Sequence, residues 1–154
     1  MTKRDATILV LGNFDDYAVQ RLSGEFKVQR IARGDTALLD AAWAKDVKGI
    51  DSMSTVDAAL IDALPNLEIV GNFGVGYDAV DAKHAGAKNV MVTNTPDVLT
   101  EEVADTTIGL LIDTVRELSK SQEFLRAGNW GKEGRYPLSR LSLRGRKVLL
   151  PVTG

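Results

Sequence analysis

Cysteine is absent from the 154-residue chain, and histidine occurs once, at His84. Without cysteine the chain has no disulfide bond, no thiol catalysis and no zinc site built on thiolates. No apolar run approaches the length that a membrane-spanning helix needs. The net charge is only −2, and no basic stripe of the kind found in nucleic-acid-binding proteins stands out. The first residues lead into a strand rather than a secretion signal. We therefore expect a soluble, cytoplasmic protein that binds neither nucleic acid nor membrane.

Short apolar segments alternate with helix-sized segments over the first two thirds of the chain. Short runs rich in β-branched side chains are typical of buried strands, and aspartates before helical segments are typical N-caps. The alternation predicts an α/β fold with a flavodoxin-like, doubly wound, parallel five-stranded sheet. The predicted strands are residues 7–11, 26–31, 47–53, 67–73 and 90–94, and the predicted helices begin at Asp15, at Asp35 (through Trp43), at Asp57 and at Asp78 or Asp81.

The last third of the sequence predicts a different organisation. Apolar residues recur at helical spacing from Thr100, the predicted N-cap, to about Leu125, which indicates one long helix. The glycine-containing segment 126–146 is expected to form an extended arm, and a further strand is expected to begin at Lys147. The predicted divisions of the chain are a sheet domain, a long helix, and an arm with a truncated strand, at residues 1–99, 100–125 and 126–154.

The stretch NFGVGYDAVD, residues 72–81, has glycines in the loose spacing G-x-G-x-x-A directly after a predicted strand. In dinucleotide-binding folds such glycines lead into a helix, and an acidic residue ends the next strand. Here the next predicted strand ends at Asn94. The alternative is a glycine turn at the carboxyl end of a strand, whose backbone N–H groups bind a small carboxylate. The residues alone leave both interpretations open.

Together with VMVTNTPDVLTEEVADTTIGLLIDTVREL further along the chain, this stretch resembles the NAD(P)-dependent D-2-hydroxyacid dehydrogenases, in particular their glyoxylate/hydroxypyruvate reductase branch. The resemblance implies a flavodoxin-like substrate domain that binds a 2-oxo acid or 2-hydroxy acid. It also implies that Gly74, Val75 and Gly76 hold the substrate carboxylate, and that Ser52 and Met53 belong to the other wall of the substrate site.

The same resemblance implies roles for the last third of the chain. Thr100 matches a position near the bound cofactor, and residues 100–146 match the helix and arm of a homodimer interface. The complete enzyme would contain an inserted Rossmann domain that binds NAD or NADP. In the family, the glycines of that domain and the catalytic arginine, glutamate and histidine come after the strand that begins near Lys147.

We therefore expect this chain alone to hold no cofactor, to contain no catalytic residue and not to reduce a 2-oxo acid. His84 is expected to be a surface or hydrogen-bonded helix residue rather than a catalytic acid. The alternative function is that of a non-enzymatic, dimerising interaction or scaffold module. The sequence LPVTG at residues 150–154 matches the sortase pattern L-P-x-T-G and is either an interrupted strand or a ligation tag.

Overall fold

The computed structural model describes residues 5–149 of the chain. These residues form two compact units, which divide between Val98 and Leu99. The LPVTG segment lies outside the described residues, as does the end of the strand predicted from Lys147. Residues 147–149 form no strand, which corrects the predicted start of that element.

The first unit is built on a five-stranded parallel sheet with the strand order β2-β1-β3-β4-β5. The predicted flavodoxin-like, doubly wound parallel sheet is therefore confirmed. The chain first moves from β1 to one edge of the sheet and then returns past β1 to build the other side. Ligands in such folds bind outside the carboxyl ends of the strands, near this change of direction. The strands are β1 Thr7–Leu11, β2 Lys27–Ile31, β3 Val47–Ser52, β4 Ile69–Asn72 and β5 Met91–Thr93.

The helices of the first unit begin where aspartates cap them. The helices are α1 Asp16–Glu25, α2 Ala41–Ala44, α3 Ala58–Asp62 and α4 Ala82–Ala87. A carboxylate that accepts a backbone N–H of the first turn satisfies a donor with no partner in the helix. Three of these bonds measure 2.9 Å, from Tyr17 to Asp15, from Leu60 to Asp57 and from His84 to Asp81. Asp81 rather than Asp78 is therefore the cap of α4.

The helix predicted from Asp35 through Trp43 is wrong, because two separate elements occupy this segment. Asp35 accepts the N–H of Ala37 at 3.0 Å and caps only a short 3₁₀ turn, Thr36–Leu38. A second aspartate, Asp40, accepts the N–H of Ala42 at 2.8 Å and begins α2. Two competing caps five residues apart divide what the sequence pattern predicts as one helix.

The core of the first unit lies between the sheet and the helices α2, α3 and α4. Buried residues of alternate strand positions meet the apolar faces of these helices, and the partly buried Trp43 packs against this core. Full burial of each large aliphatic side chain contributes about 1.5–3 kcal/mol. The largest fully buried apolar residues are Leu9, Val10, Leu11, Val47, Val56, Leu60, Leu64 and Val70.

The second unit contains the helices α5 Thr100–Arg116, α6 Leu118–Arg126 and α7 Asn129–Glu133. The single long helix predicted from Thr100 is therefore wrong, because Glu117 adopts a left-handed conformation with φ of 54°. Asp113 supports the break, since its carboxylate accepts both the N–H and the hydroxyl of Ser119, at 2.7 and 2.8 Å. Thr100 is the first residue of α5 and not its N-cap, which is Leu99 and makes no side-chain capping bond.

The arm of the second unit is not fully extended, which corrects another prediction. Its first part forms α7, and its continuation contacts the preceding helices. The ring of Tyr136 meets the ring of Phe124 edge to face with centroids 5.5 Å apart, and the hydroxyl of Ser139 donates to the carbonyl of Val115. Across residues 5–149, none of the helices is long and apolar enough to span a bilayer.

Candidate functional site

The glycine turn of residues 74–77 follows β4 at the carboxyl edge of the sheet. Its three consecutive carbonyl groups all accept hydrogen bonds from groups at the ends of β4 and β5. The backbone N–H of Thr95 donates to the carbonyl of Gly74 at 2.9 Å. The side-chain amide of Asn94 donates to the carbonyl of Val75 at 2.7 Å, and that of Asn72 donates to the carbonyl of Gly76 at 2.8 Å.

These bonds fix the direction of the N–H groups in the same peptide units. A trans peptide is planar, and its N–H points opposite to its C=O. The N–H groups of Val75, Gly76 and Tyr77 therefore point away from the donors at the ends of β4 and β5. Within residues 5–149, none of these three N–H groups donates a hydrogen bond. Consecutive backbone N–H groups that face one side form an anion-binding concavity.

The last residue of β3, Ser52, and the first residue of the loop after it, Met53, lie at the same edge. The hydroxyl of Ser52 donates to the carbonyl of Ser54 at 2.7 Å and accepts the N–H of Ser54 at 2.9 Å. Ser52 is fully buried, so its side chain shapes the loop. Met53 is 51% exposed, and its backbone N–H donates to the carbonyl of Leu11 at 3.1 Å. The substrate contacts predicted for both residues stay predictions.

Loops from neighbouring strands hold this edge together. Phe73 donates its backbone N–H to the carbonyl of Ser52 at 2.8 Å, which joins the glycine turn to the loop after β3. Phe14, buried in the loop after β1, meets the ring of Phe73 edge to face with centroids 5.7 Å apart. Gly12 has a φ of +95°, and a Cβ there would stand 3.5 Å from the Cβ of Met53. The loops after β1, β3 and β4 therefore contact one another at this edge of the sheet.

Two aspartates set the charge near this edge. Asp78 is exposed, and its Oδ1 atom lies 2.9 Å from where a Cβ at Gly76 would stand, so a negative charge lies beside the turn. Asp51 occupies the strand position before Ser52 and therefore points to the opposite face of the sheet. Burial raises the pKa of Asp51 above its usual value.

The other candidate residues are Thr100 and His84. Thr100, predicted to lie near a cofactor, is exposed and belongs to the second unit. His84 is part of α4, and its Nε2 atom lies 2.9 Å from Oδ1 of Asp62, which also accepts from Lys88 at 2.7 Å. His84 is thus a hydrogen-bonded helix residue, as expected. No cluster of three or more acidic or histidine side chains suited to a metal occurs within residues 5–149.

Asn72, Asn94 and Thr95 were not among the candidates predicted from the sequence. Their role depends on bonds to a turn that lies 4 to 21 residues away along the chain. The only local signal is that each asparagine stands at the end of an apolar run, next to glycine- or proline-containing loops. Such positions favour ligand-site residues at the carboxyl edge of a parallel sheet.

The strand order and the glycine turn at the carboxyl edge define a doubly wound, flavodoxin-like α/β domain. The family model of the D-isomer specific 2-hydroxyacid dehydrogenase catalytic domain matches residues 8–142. The chain belongs to this family, which confirms the resemblance.

Curated relatives include two reductases from plants. The chain is 49% identical over 135 residues to the glyoxylate/hydroxypyruvate reductase A of Arabidopsis thaliana, covering 86% of this chain and 43% of that protein. It is 41% identical over 136 residues to the hydroxyphenylpyruvate reductase of Plectranthus scutellarioides, with the same two coverages of 86% and 43%. The chain thus spans less than half the length of these relatives.

A solved structure shows the same fold. The NADPH-dependent glyoxylate/hydroxypyruvate reductase of Sinorhizobium meliloti, in complex with NADP and malonate, superposes with a TM-score of 0.82 at 51% identity. The match covers 92% of this chain and 44% of that chain.

Proposed function

We propose that this chain is the substrate-binding domain of a 2-hydroxyacid dehydrogenase of the glyoxylate/hydroxypyruvate reductase type. The substrate is a 2-oxo acid, and its carboxylate binds the N–H groups of Val75, Gly76 and Tyr77. The observation that carries this proposal is the turn in which three consecutive carbonyls are held by donors at the ends of β4 and β5, while the three N–H groups of the same peptide units donate to no group within residues 5–149. Fixed donors of this kind bind an anion without reorganisation.

The turn orients the substrate as well as binding it. A carboxylate held through backbone N–H groups leaves the adjacent 2-oxo carbon in a defined position, which favours attack from one direction. Met53 and Phe73, both more than half exposed, offer apolar surface to the remainder of the substrate. In this proposal Ser52 keeps the loop that carries Met53 in place through its two bonds to Ser54.

The described residues do not fit a bound dinucleotide at the same turn. A pyrophosphate-binding loop places a helix N-terminus directly after its glycines. Here α4 begins at Ala82, well after Gly76, and has only six residues. We propose that NAD or NADP is bound by a domain of the complete enzyme, with Thr100 near it, and that this chain alone is inactive. We also propose that the enzyme works in the cytoplasm.

A second candidate function, a dimerising module, is favoured by the surface of the second unit. Val103, Ile108 and Leu110 of α5 are each more than half exposed, and so are Leu125 of α6 and Trp130 of α7. Exposed apolar side chains at this density mark protein interfaces. We propose that residues 100–146 form a homodimer interface, which is compatible with the substrate-domain function and does not depend on it.

Amide-resolved NMR titration of the chain with glyoxylate, hydroxypyruvate, NADH and NADPH tests the main proposal. We expect the acids to shift the amide signals of Val75, Gly76 and Tyr77 at millimolar concentration, and the dinucleotides to shift none of the turn signals. Unchanged turn signals at saturating acid would contradict the carboxylate site. Saturable dinucleotide binding at the turn would contradict the proposal that another domain binds the cofactor. Oxidation of NADPH by the chain with glyoxylate would contradict the proposal that the chain alone is inactive.

A further inference from the structure

The side chains of Asn72 and Asn94 lie behind the glycine turn, on the side away from its free N–H groups. We propose that these two asparagines are positioning residues for the substrate carboxylate. They act through the backbone, because they fix the peptide groups whose N–H atoms the carboxylate would contact. This inference rests on the proposed function of the turn, and it names the residues that determine which way the N–H groups of the turn point.

Asn72 fixes the far end of the turn. It is the last residue of β4, pairs with Ser52 of β3 and is 7% exposed. Its Nδ2 atom donates to the carbonyl of Gly76 at 2.8 Å. Gly74 gives this side chain its space, because a Cβ at Gly74 would stand 3.2 Å from the same Nδ2 atom.

Asn94 fixes the middle of the turn from the neighbouring strand. It follows β5, and its Nδ2 atom donates to the carbonyl of Val75 at 2.7 Å. The adjacent N–H of Thr95 donates to the carbonyl of Gly74 at 2.9 Å. The peptide that carries the N–H of Gly76 is therefore held by Asn94, with the peptides on either side held by Thr95 and Asn72.

A neutral amide suits this task for a physical reason. Its NH₂ group supplies a donor to the turn carbonyl without adding charge. An aspartate would present only acceptors to the carbonyl when ionised, which would repel that carbonyl and also the substrate carboxylate. A lysine or arginine would attract the carboxylate to the wrong side of the peptide. Because the two asparagines are uncharged, the partial positive charges of the backbone N–H groups are what attracts the substrate carboxylate to the turn.

The experiment compares Asn94→Asp with Asn66→Asp in the same chain. Asn66 is a matched control, because its Nδ2 atom donates to the carbonyl of Lys45 at 2.7 Å in a different loop. Each substitution breaks one amide–carbonyl bond and adds one negative charge. Glyoxylate affinity is measured by amide-resolved NMR titration near neutral pH, and thermal unfolding is measured on the same samples.

We expect Asn94→Asp to weaken glyoxylate binding by about tenfold or more, with moved amide signals for Val75 and Gly76 before any acid is added. We expect Asn66→Asp to bind like the unsubstituted chain. Asn94→Ser, which keeps a hydroxyl donor without charge, is expected to fall between the two and replaces Asn94→Asp if that variant does not fold.

Three results would overturn the inference. If Asn94→Asp and Asn94→Ser bind glyoxylate as the unsubstituted chain does, the asparagine does not position the site. If Asn66→Asp weakens binding equally, the effect comes from general stability or charge. If glyoxylate does not shift the turn signals of the unsubstituted chain, the proposed function itself is wrong. The first two results can be obtained only with a chain that binds glyoxylate, so they contradict the role of the asparagines and not the proposed function.

Discussion

The α-carbon of Gly34 lies in direct contact with the carbonyl oxygen of Thr55, and no Cβ fits between them. The backbone N–H of Gly34 also donates to the hydroxyl of Ser54 at 3.3 Å. These contacts join the loop after β2 to the loop after β3. Because Met53 precedes Ser54 in the second loop, the contact also steadies one wall of the candidate site.

Gly34→Ala is therefore expected to destabilise the first unit by about 2 kcal/mol or more, because the new methyl group forces backbone apart in a packed region. Gly24→Ala is the matched control, since Gly24 lies in α1 and a Cβ there would have no atom of residues 5–149 within 4 Å. That control should stabilise the chain by about 0.5–1 kcal/mol. Urea unfolding measures both, and a Gly34→Ala variant as stable as the parent would contradict the tight contact.

Asp51 and Asp62 predict opposite pH dependences of stability. Burial raises the pKa of Asp51 in the folded chain above 3.8, its ordinary value. Its favourable contribution to stability is therefore fully present below that value and is lost as the pH rises through the folded-state pKa. Asp51→Asn should make the chain more stable than the parent near neutral pH, and this gain should shrink as the solution is acidified.

Asp62 provides the comparison. Its pKa lies below 3.8, because Lys88 and then His84 donate hydrogen bonds to its carboxylate. Its contribution is present above the ordinary value and is lost as the pH falls through the lowered one. Asp62→Asn should therefore reduce stability near neutral pH, with a difference that disappears in acid. Thermal unfolding as a function of pH tests both signs, and two variants with parallel pH profiles would contradict the assignment.

Features that depend on neighbouring residues in the sequence were predicted well, whereas features that depend on distant contacts were not. The period of the apolar residues predicts all five strands within three residues at each end. Asp57 caps α3 as predicted, because a cap needs only the next few residues. The break at Glu117 was missed, since no glycine or proline marks it and Asp113 supports it through Ser119.

In the candidate site, too, only the features that depend on neighbouring residues were predictable from the sequence. The turn at Gly74 and Gly76 is visible in the sequence, because paired glycines after an apolar run predict a turn at the carboxyl end of a strand. Which way its peptide groups face was not predictable. That direction depends on Asn94, which reaches the turn from the next strand and lies 19 residues beyond Val75.

Asp78 gives a test of the charge at the turn. Its carboxylate lies beside Gly76 and is exposed to solvent, so its repulsion of a bound anion is weakened by water and salt. Asp78→Asn is expected to tighten glyoxylate binding by about two- to fivefold at low ionic strength, and less at high salt. NMR titrations at two salt concentrations measure this. Asp16→Asn, in α1, is the control for the loss of one negative charge.

The exposed face of α5 gives the last prediction. Ile108 is 56% exposed, and an aspartate there would place a charge within the proposed homodimer interface, which at the usual size of a stable interface would bury about 600–1,000 Å² on each partner. Ile108→Asp should convert a dimer to a monomer, with a dissociation constant raised by about a hundredfold or more. Gln20→Asp is the control for the added charge, because Gln20 is also exposed and lies in α1 of the first unit, outside residues 100–146. Sedimentation equilibrium over a range of concentrations gives the mass of each variant. A parent chain that stays monomeric at every concentration would rule out the interface, and equal dissociation of both variants would show that the added charge alone, and not its position on α5, causes the dissociation.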